Sequence, residues 1–226
     1  MEFNNIIFDF DGVLADSNKI KKDAYFDIFR EVEGTKKIID EVLKRNPDDN
    51  RYGIISKILK RLKEEGKVQY EDLKSETQKY AKLYSERTEK GQIEAKEIKG
   101  ATESLKRLKG RGYRLFLHTS TTDDSMGRVA KERGIGVYFD KIYGSSRGKK
   151  AEVIQIIIKE NKLFPERTIS VGDSDSELKT AERLGIRFIA LANESNDFSE
   201  RSDLRYVLYA DLTKLLDIIN KINKEN

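Results

Sequence analysis

The stretch NIIFDFDGV, residues 5–13, sets two acids directly after a short apolar run. Short runs of β-branched and aromatic residues are typical of a buried strand. Residues two apart on a strand project to the same side, so Asp9 and Asp11 can face one reacting centre. An Asp-Gly pair is also typical of a hairpin turn, but the residues DSN at 16–18 predict a helix start rather than a second strand. The stretch therefore indicates a strand that ends in a pair of carboxylates.

Further runs of this kind follow along the chain, and helical patterns separate the later ones. The predicted strands are Asn5–Phe10, Tyr113–His118, Phe139–Tyr143, Thr168–Val171, Arg187–Ala190 and Arg205–Tyr209. The predicted helices between them are Ala101–Lys109, Ser125–Arg133, Ala151–Asn161 and Ser174–Leu184. Alternating strands and helices predict an α/β fold with a Rossmann-like parallel sheet covered on both faces. Because ligands of such sheets bind beyond the carboxyl ends of the strands, the functional residues are expected there.

The segment from residue 17 to residue 98 breaks this alternation and contains no convincing strand. Its apolar residues recur at helical spacing, as between Ile55 and Leu62. A connection of about 80 residues between two strands of one sheet needs a core of its own. We therefore expect an all-helical domain at residues 17–98, inserted into an α/β core of residues 1–16 and 99–226. An aromatic stripe at helical spacing is more often core than ligand pocket, and we expect core packing for Tyr70, Tyr80 and Tyr84.

The composition excludes several classes of function. The 44 basic and 40 acidic side chains nearly balance, and the net charge is +4. Lys and Glu are interleaved, as at residues 57–67, which is typical of a solvated helix face and not of a nucleic-acid surface. The chain has no Cys and one His, which excludes disulfides, a Cys nucleophile and zinc sites with several His ligands. We expect no nucleic-acid partner.

The sequence carries no sign of membrane insertion or export. Its apolar runs stay well short of the roughly 18 residues that a membrane span needs. The N-terminus enters an apolar run within a few residues, without the basic region and cleavage site of a signal peptide. We therefore expect a cytoplasmic protein with no membrane partner.

Hydroxyl and basic residues occur at two of the later strand ends. The second predicted strand ends in His118 followed by Thr119 and Ser120, and a hydroxyl there can donate to a phosphate oxygen. We expect His118 to be structural or to line a pocket, since no Ser or Cys chemistry surrounds it. Lys149 and Lys150 precede a predicted helix, where a cation opposes the helix dipole unless an anion is bound. A phosphate at that helix end would neutralise both lysines.

A second acidic cluster, GDSDSE at residues 172–177, follows the strand predicted at Thr168–Val171. Carboxylates at this strand end, on the side of Asp9 and Asp11, suggest an oxygen-ligand site for a hard cation such as Mg²⁺. Ser174 and Glu177 also have the spacing of a helix capping box, which by itself would explain the glutamate.

Taken together, the four strand ends resemble the four motifs of the haloacid dehalogenase-like hydrolase superfamily, in its phosphatase branch with a helical cap. The matching residues in chain order are Asp9, Asp11, Thr119, Lys150 or Lys149, Asp173 and Glu177. The helical insert lies between the first and second motifs, where one branch of the family carries its cap. The fourth motif usually ends in Asp where this chain has Glu177, so Asp175 stays open as the outer acid of the metal site.

The resemblance implies a mechanism and a role for each residue. Asp9 would attack phosphorus and form an aspartyl-phosphate, with Asp11 as the acid and base. The implied Mg²⁺ site is formed by Asp9, Asp11, Asp173 and Glu177. The implied phosphate-binding residues are Thr119, Ser120 and Lys150 or Lys149.

The reaction implied by the resemblance is hydrolysis of a small phosphorylated metabolite. The acid at position 11 favours phosphoryl transfer, because a dehalogenase does not protonate its leaving halide. A sugar-phosphate mutase of the same superfamily is the alternative enzyme. A binding module without turnover is less favoured, because Asp9, Asp11 and Asp173 are all intact.

Overall fold

The sheet of the protein, described from a computed structural model, carries the candidate residues at its edge. The structure describes residues 2–47, 49–194 and 196–225. Within these residues six parallel strands form one sheet in the order β3-β2-β1-β4-β5-β6. They are β1 (Asn5–Asp9), β2 (Arg114–His118), β3 (Lys141–Tyr143), β4 (Thr168–Gly172), β5 (Arg187–Ala192) and β6 (Val207–Tyr209). This confirms the predicted α/β fold, with each strand within two residues of its expected bounds.

The helices in the described part of the chain number nine. They are α1 (Asn18–Ile28), α2 (Lys36–Arg45), α3 (Arg51–Glu64), α4 (Leu73–Glu94), α5 (Ala101–Gly110), α6 (Asp123–Glu132), α7 (Lys150–Glu160), α8 (Asp175–Leu184) and α9 (Leu215–Glu225). The four helices predicted between the strands are α5 to α8. The last helix, α9, follows β6 and lies outside the predicted alternation. None of these described helices combines the length and the apolar character that a bilayer span requires.

Strand β1 is the centre of the sheet and pairs on both sides. Asp9 lies opposite His118 of β2, and Phe8 lies opposite Val171 of β4. After β1 the chain forms β2 and β3 on one side of it, then returns to form β4 to β6 on the other. In sheets of this kind, ligands bind at the carboxyl edge where the strand order reverses. The topology therefore directs attention to the ends of β1, β2 and β4.

One hydrophobic cluster fixes α7 and α8 against the strands that carry the candidate site. Ile7 of β1 and Phe116 of β2 are fully buried and belong to this cluster. Ile154 of α7 and Leu178 of α8 belong to it as well. Burial of each such side chain contributes roughly 1.5–3 kcal/mol. Helix α7 follows β3, and helix α8 follows β4. Their N-termini therefore lie toward the carboxyl edge of the sheet.

The chain divides into two compact units. One consists of Met1–Ser17 and Ala95–Asn226, and the other of Asn18–Glu94. The second unit contains α1 to α4 and has its own apolar core, in which Tyr84 is buried while Tyr70 and Tyr80 pack at the edge. The ring centroids of Tyr25 and Tyr84 are 4.4 Å apart, so the aromatic stripe packs as core, as expected.

The helical unit ends earlier than the expected boundary at residue 98. Backbone pairing ties the following residues to the α/β unit: Asp16 N–H donates to the Lys96 carbonyl at 2.9 Å, and Ile98 N–H donates to the Leu14 carbonyl at 3.1 Å. The unit boundary consequently falls after Glu94. These are backbone bonds, and residue types alone give no signal for them.

Candidate functional site

Asp9 ends the central strand and is buried, with 1% of its surface exposed. Its Oδ1 accepts a hydrogen bond from the Phe10 N–H at 2.8 Å, and its Oδ2 lies 2.7 Å from Nζ of Lys150. Burial raises the pKa of Asp9 to about 7, and the neighbouring Glu177 adds to the rise while Lys150 opposes it. The carboxylate at the centre of the sheet edge therefore needs cationic partners to remain ionised.

Asp11 is buried on the loop that follows β1 and is held by two hydroxyl groups. Ser17 Oγ donates to its Oδ1 at 2.7 Å, and Thr119 Oγ1 lies 3.4 Å from its Oδ2. The loop turns sharply because Gly12 adopts a φ of 77°, which residues with a side chain rarely take. This turn keeps Asp11 at the sheet edge, and Ser17 is a partner that the sequence did not single out.

Thr119 and Ser120 follow β2 directly. Thr119 is buried, and its Oγ1 accepts from the Thr121 N–H at 3.1 Å. The structure thus brings the threonine hydroxyl to Asp11, at the edge of the sheet where Asp9 lies. Ser120 is half-buried on the same loop, and its part in phosphate binding stays a prediction.

The two lysines at the start of α7 differ in surroundings. Nζ of Lys150 lies 2.7 Å from Oδ2 of Asp9 and 3.4 Å from Oε1 of Glu177. Burial alone would lower the pKa of Lys150, but the charges of Asp9, Glu177 and Asp173 hold it well above its usual range. Lys149 has an exposed side chain, and its backbone N–H donates to Glu152 at 2.8 Å. The structure thus brings Lys150 to the candidate site, and Lys149 takes the capping position of the helix.

Glu177 uses its two oxygens for different purposes. Oε2 accepts from Ser174 Oγ at 2.7 Å and from the Ser174 N–H at 3.2 Å, so the predicted capping box is present. Oε1 faces Lys150 at 3.4 Å and Nε2 of His118 at 3.1 Å. Burial opposes ionisation, yet Lys150 and His118 hold the pKa of Glu177 well below its usual range. The cap and the charged contact therefore coexist, while Asp175 lies exposed at the first position of α8.

Gly172, at the end of β4, makes room for this glutamate. A Cβ atom at position 172 would lie 2.7 Å from Oε2 of Glu177 and 3.1 Å from the ring of Phe188. Contacts that short force a neighbour to move. The absence of a side chain at 172 is therefore a requirement for the observed position of Glu177.

Asp173 is buried and is oriented by an asparagine that no sequence pattern indicated. Nδ2 of Asn193, directly after β5, donates to Oδ2 of Asp173 at 2.8 Å and lies 3.4 Å from the Gly12 carbonyl. Oδ1 of the same amide accepts from the Asn196 N–H at 3.2 Å, which fixes which way the amide points. The only signal that could have found Asn193 was its position at a strand end.

The described residues include a group that could hold a metal ion. Asp9, His118 and Glu177 each offer one ligand atom, and these atoms lie within 4.8 Å of one another. Asp11 and Asp173 are buried beside this group as further carboxylates. Buried carboxylates are costly unless they are paired or bind a cation. The predominance of oxygen donors fits a hard divalent cation.

Comparison with known proteins places the chain in a family. The sequence profile of the haloacid dehalogenase-like hydrolases matches residues 6–191. The chain belongs to the haloacid dehalogenase-like hydrolase family, which confirms the family that the sequence resembles.

Two relatives agree with this membership, and a solved structure has the same fold. A phosphoserine phosphatase of Methanocaldococcus jannaschii is 25% identical over 226 residues, with 90% of this chain and 95% of that protein covered. A phosphoglycolate phosphatase of Aquifex aeolicus is 26% identical over 222 residues, with 94% and 96% covered. The crystal structure of a β-phosphoglucomutase from Clostridium difficile superposes with a TM-score of 0.75 at 18% identity, with 99% and 98% covered, which shows a common fold. Relatives named as phosphatases are consistent with a phosphoric monoester hydrolase.

Proposed function

We propose that the protein is a magnesium-dependent phosphatase that hydrolyses a small phosphomonoester through an aspartyl-phosphate on Asp9. The observation that carries this proposal is the convergence on one buried carboxylate. Lys150 contacts Asp9 directly at 2.7 Å, and Asp11 follows two residues later. The relatives named as phosphoserine and phosphoglycolate phosphatases support a small phosphorylated metabolite as the substrate.

The residues present fit Mg²⁺ as the cofactor. Asp9 and Asp173 would supply carboxylate ligands, and Asp11 would offer its backbone carbonyl, because its side chain must carry the proton for the leaving oxygen. Asn193 would orient Asp173. Bound there, the ion would offset the repulsion between these carboxylates and the incoming phosphate dianion. The raised pKa of Asp9 supports the need for such a cation.

Asp9 and Asp11 divide the covalent chemistry between them. An Asp9 oxygen forms a bond to phosphorus while the bond from phosphorus to the leaving oxygen breaks, and Asp11 gives its proton to that oxygen. In the second half, Asp11 takes a proton from water as the water oxygen attacks phosphorus. The bond to Asp9 then breaks, and inorganic phosphate leaves.

Lys150, Thr119 and Ser120 would bind the transferring phosphoryl group. The Lys150 ammonium already lies beside the attacking carboxylate, where charge accumulates in the transition state. The Thr119 hydroxyl is buried at the same sheet edge and can donate to a phosphoryl oxygen. Lys150 is preferred over Lys149, because the Lys149 side chain is exposed.

The helical unit Asn18–Glu94 is proposed to be the cap that selects the substrate. The candidate residues at the sheet edge are all assigned to phosphoryl transfer. Discrimination among leaving groups therefore falls to the inserted segment, whose core of its own makes it a separate folding unit. A sugar-phosphate mutase would use the same sheet-edge residues, so the products must distinguish the two enzymes.

The test is a time course with purified protein and a panel of phosphorylated metabolites in the presence of Mg²⁺. Release of inorganic phosphate that stops with a chelator is the expected result. Conversion of one phosphomonoester into another without phosphate release would instead establish the mutase. If neither product forms across the panel, while the protein is folded and binds Mg²⁺, the binding module becomes the better description.

A further inference from the structure

His118 lies in the protein interior at a position where an apolar residue would be the simpler choice. It ends β2 beside Asp9, above the fully buried Phe116 on the same face of the sheet. Its side chain and that of Glu177 have 0% exposure, and its Nε2 lies 3.1 Å from Oε1 of Glu177. Among the described residues Nδ1 has no hydrogen-bond partner, and Nε2 has only this contact with Glu177, which is short but poorly aligned. A polar ring buried in this way is costly, so its presence calls for a reason.

The contact with Glu177 gives that reason, because it involves Oε1, the Glu177 oxygen that does not take part in the helix cap. Oε2 of Glu177 already accepts from Ser174 Oγ and from the backbone N–H groups of Ser174 and Asp173. Oε1 has only the ammonium of Lys150 and the imidazole of His118 beside it among the contacts of the described residues. These two cationic or proton-donating groups define where Oε1 lies.

Lys150 in turn depends on Oε1 for its own position. A long lysine side chain loses much conformational entropy when it is fixed, so it needs partners that hold it. The ammonium of Lys150 is held between Asp9 at 2.7 Å and Glu177 at 3.4 Å. A shift of Oε1 would therefore allow the ammonium to leave the line between the two carboxylates.

We propose that His118 is a positioning residue, which acts through Glu177 to hold the Lys150 ammonium beside Asp9. This inference rests on the proposed phosphatase function. It gives Glu177 a specific role, as the support of a phosphate-binding lysine and not as a ligand of the cation. The Lys150 ammonium already lies 2.7 Å from Oδ2 of Asp9 and 3.4 Å from Oε1 of Glu177, and it would repel a second cation placed between these two oxygens.

The test compares His118→Leu, which fills the same apolar surroundings without a polar atom, with His118→Gln, which keeps an N–H donor. The probe is orthovanadate, a phosphate analogue, whose affinity is measured by calorimetry at saturating Mg²⁺. Mg²⁺ affinity is measured separately from the dependence of the unfolding temperature on Mg²⁺. For His118→Leu we expect vanadate affinity and kcat to fall about 10–100-fold, as when a partner that orients a functional group is removed. Mg²⁺ affinity should stay within about twofold, and the unfolding temperature should not fall.

The conservative variant separates positioning from packing. His118→Gln should recover most of the vanadate affinity and kcat, whatever its effect on stability. If His118→Leu is fully active with unchanged vanadate affinity, His118 is a packing residue and the inference is wrong. A loss of Mg²⁺ affinity that matches the loss of vanadate affinity would place Glu177 on the cation and also overturn it. A wild-type protein that binds Mg²⁺ but no vanadate would contradict the proposed function itself, which is a different result from either of these.

Discussion

Helices α7 and α8 both begin at the carboxyl edge of the sheet, but they begin with opposite charges. The first turn of α8 carries Asp175 and Glu177, and the helix starts with a capping box. This arrangement satisfies the free N–H groups and matches the helix dipole. Helix α7 also has a capping box, in which Glu152 accepts from the Lys149 N–H, but its first residue is Lys150, whose charge opposes the dipole. The helix whose first residue carries the unfavourable charge is also the one whose first residue contacts Asp9, the proposed nucleophile.

Lys150, at the start of α7, contacts both Asp9 and Glu177 of α8. The largest effect is expected when the Asp9 carboxylate is replaced. Asp9→Asn keeps the shape of the side chain but cannot form a stable phosphoenzyme. We expect turnover to fall on the order of 10⁴-fold or more, as for other lost nucleophiles, with an unchanged fold. Steady-state phosphate release and circular dichroism provide the measurement. Substantial residual turnover would show that a direct attack by water operates instead.

Removing the unfavourable charge of α7 should cost activity but not helix stability. Lys150→Met is expected to lower kcat on the order of 10²–10³-fold, as when one transition-state donor is lost. Lys149→Met is the matched change one residue earlier, on an exposed side chain, and should leave kcat within about twofold of wild type. A larger effect at Lys149 than at Lys150 would reverse the assignment of the phosphate-binding lysine.

The favourable start of α8 can be divided into its two roles. Glu177→Gln keeps an oxygen that can accept from Ser174 and complete the cap, but it removes the charge that holds Lys150. We expect about a 10–100-fold loss in kcat with helix α8 intact. Asp175→Asn, on the exposed residue at the helix start, should have little effect on activity. Comparable losses from both changes would indicate that the general negative charge of the α8 N-terminus matters, and not the contact with Lys150.

A smaller effect is expected beyond the two helices, at Asn193. Asn193→Ala removes the donor that orients Asp173 and should weaken Mg²⁺ affinity about tenfold, as for other partners that orient a metal ligand. The Mg²⁺ dependence of the rate measures this. Asn196→Ala is the control, because the bonds of Asn196 to Asn193 run through its backbone N–H and carbonyl, which the change keeps. Equal effects from the two variants would assign the loss to the loop as a whole.

The smallest expected effect is on the stability of the fold. It depends on the pKa of Asp9, which Glu177 of α8 raises and Lys150 of α7 lowers. Without a bound cation the pKa of Asp9 is raised to about 7 in the folded protein, against about 3.9 in an unfolded chain. Between these values the folded state binds more protons, so the unfolding free energy falls as pH rises through that window. The Asp9→Asn variant has no ionisable group at this position, so its unfolding free energy does not fall for this reason. The unfolding temperature of the variant should therefore exceed that of wild type by more at pH 7 than at pH 4, in the presence of a chelator.

The sequence predicted the fold well because the alternation of strands and helices is a local pattern. It also located Asp9, Asp11, Thr119 and Asp173, because each stands at or directly after the end of a predicted strand. The capping role of Glu177 was equally visible from its spacing to Ser174. All of these depend on residues that are close together in the chain.

Other features depended on information that the residue types do not carry. The choice between Lys149 and Lys150 depends on the residue at which α7 begins, because this decides which of the two side chains faces Asp9. The contact of His118 with Glu177 depends on strand register, since Asp9 and His118 are neighbours only across the sheet. Asn193 reaches Asp173 from a separate strand end without belonging to any motif. The end of the helical unit is set by backbone bonds such as that of Ile98 to Leu14.

The central position of β1 also affects which part of the candidate site loses its structure first when the protein is heated. A strand that is buried and bonded on both sides opens only when the whole α/β unit unfolds, whereas loops held by a few bonds open far more often. Asp9 ends a strand of the first kind, whereas Asn193 lies outside the strands, directly after β5. Local opening at Asn193 would release the hydrogen bond that orients Asp173 while Asp9 stays in place, and under the proposed function it would weaken cation binding. Under the proposed function, heating would then first produce a form that keeps the nucleophile in place but binds the cation weakly.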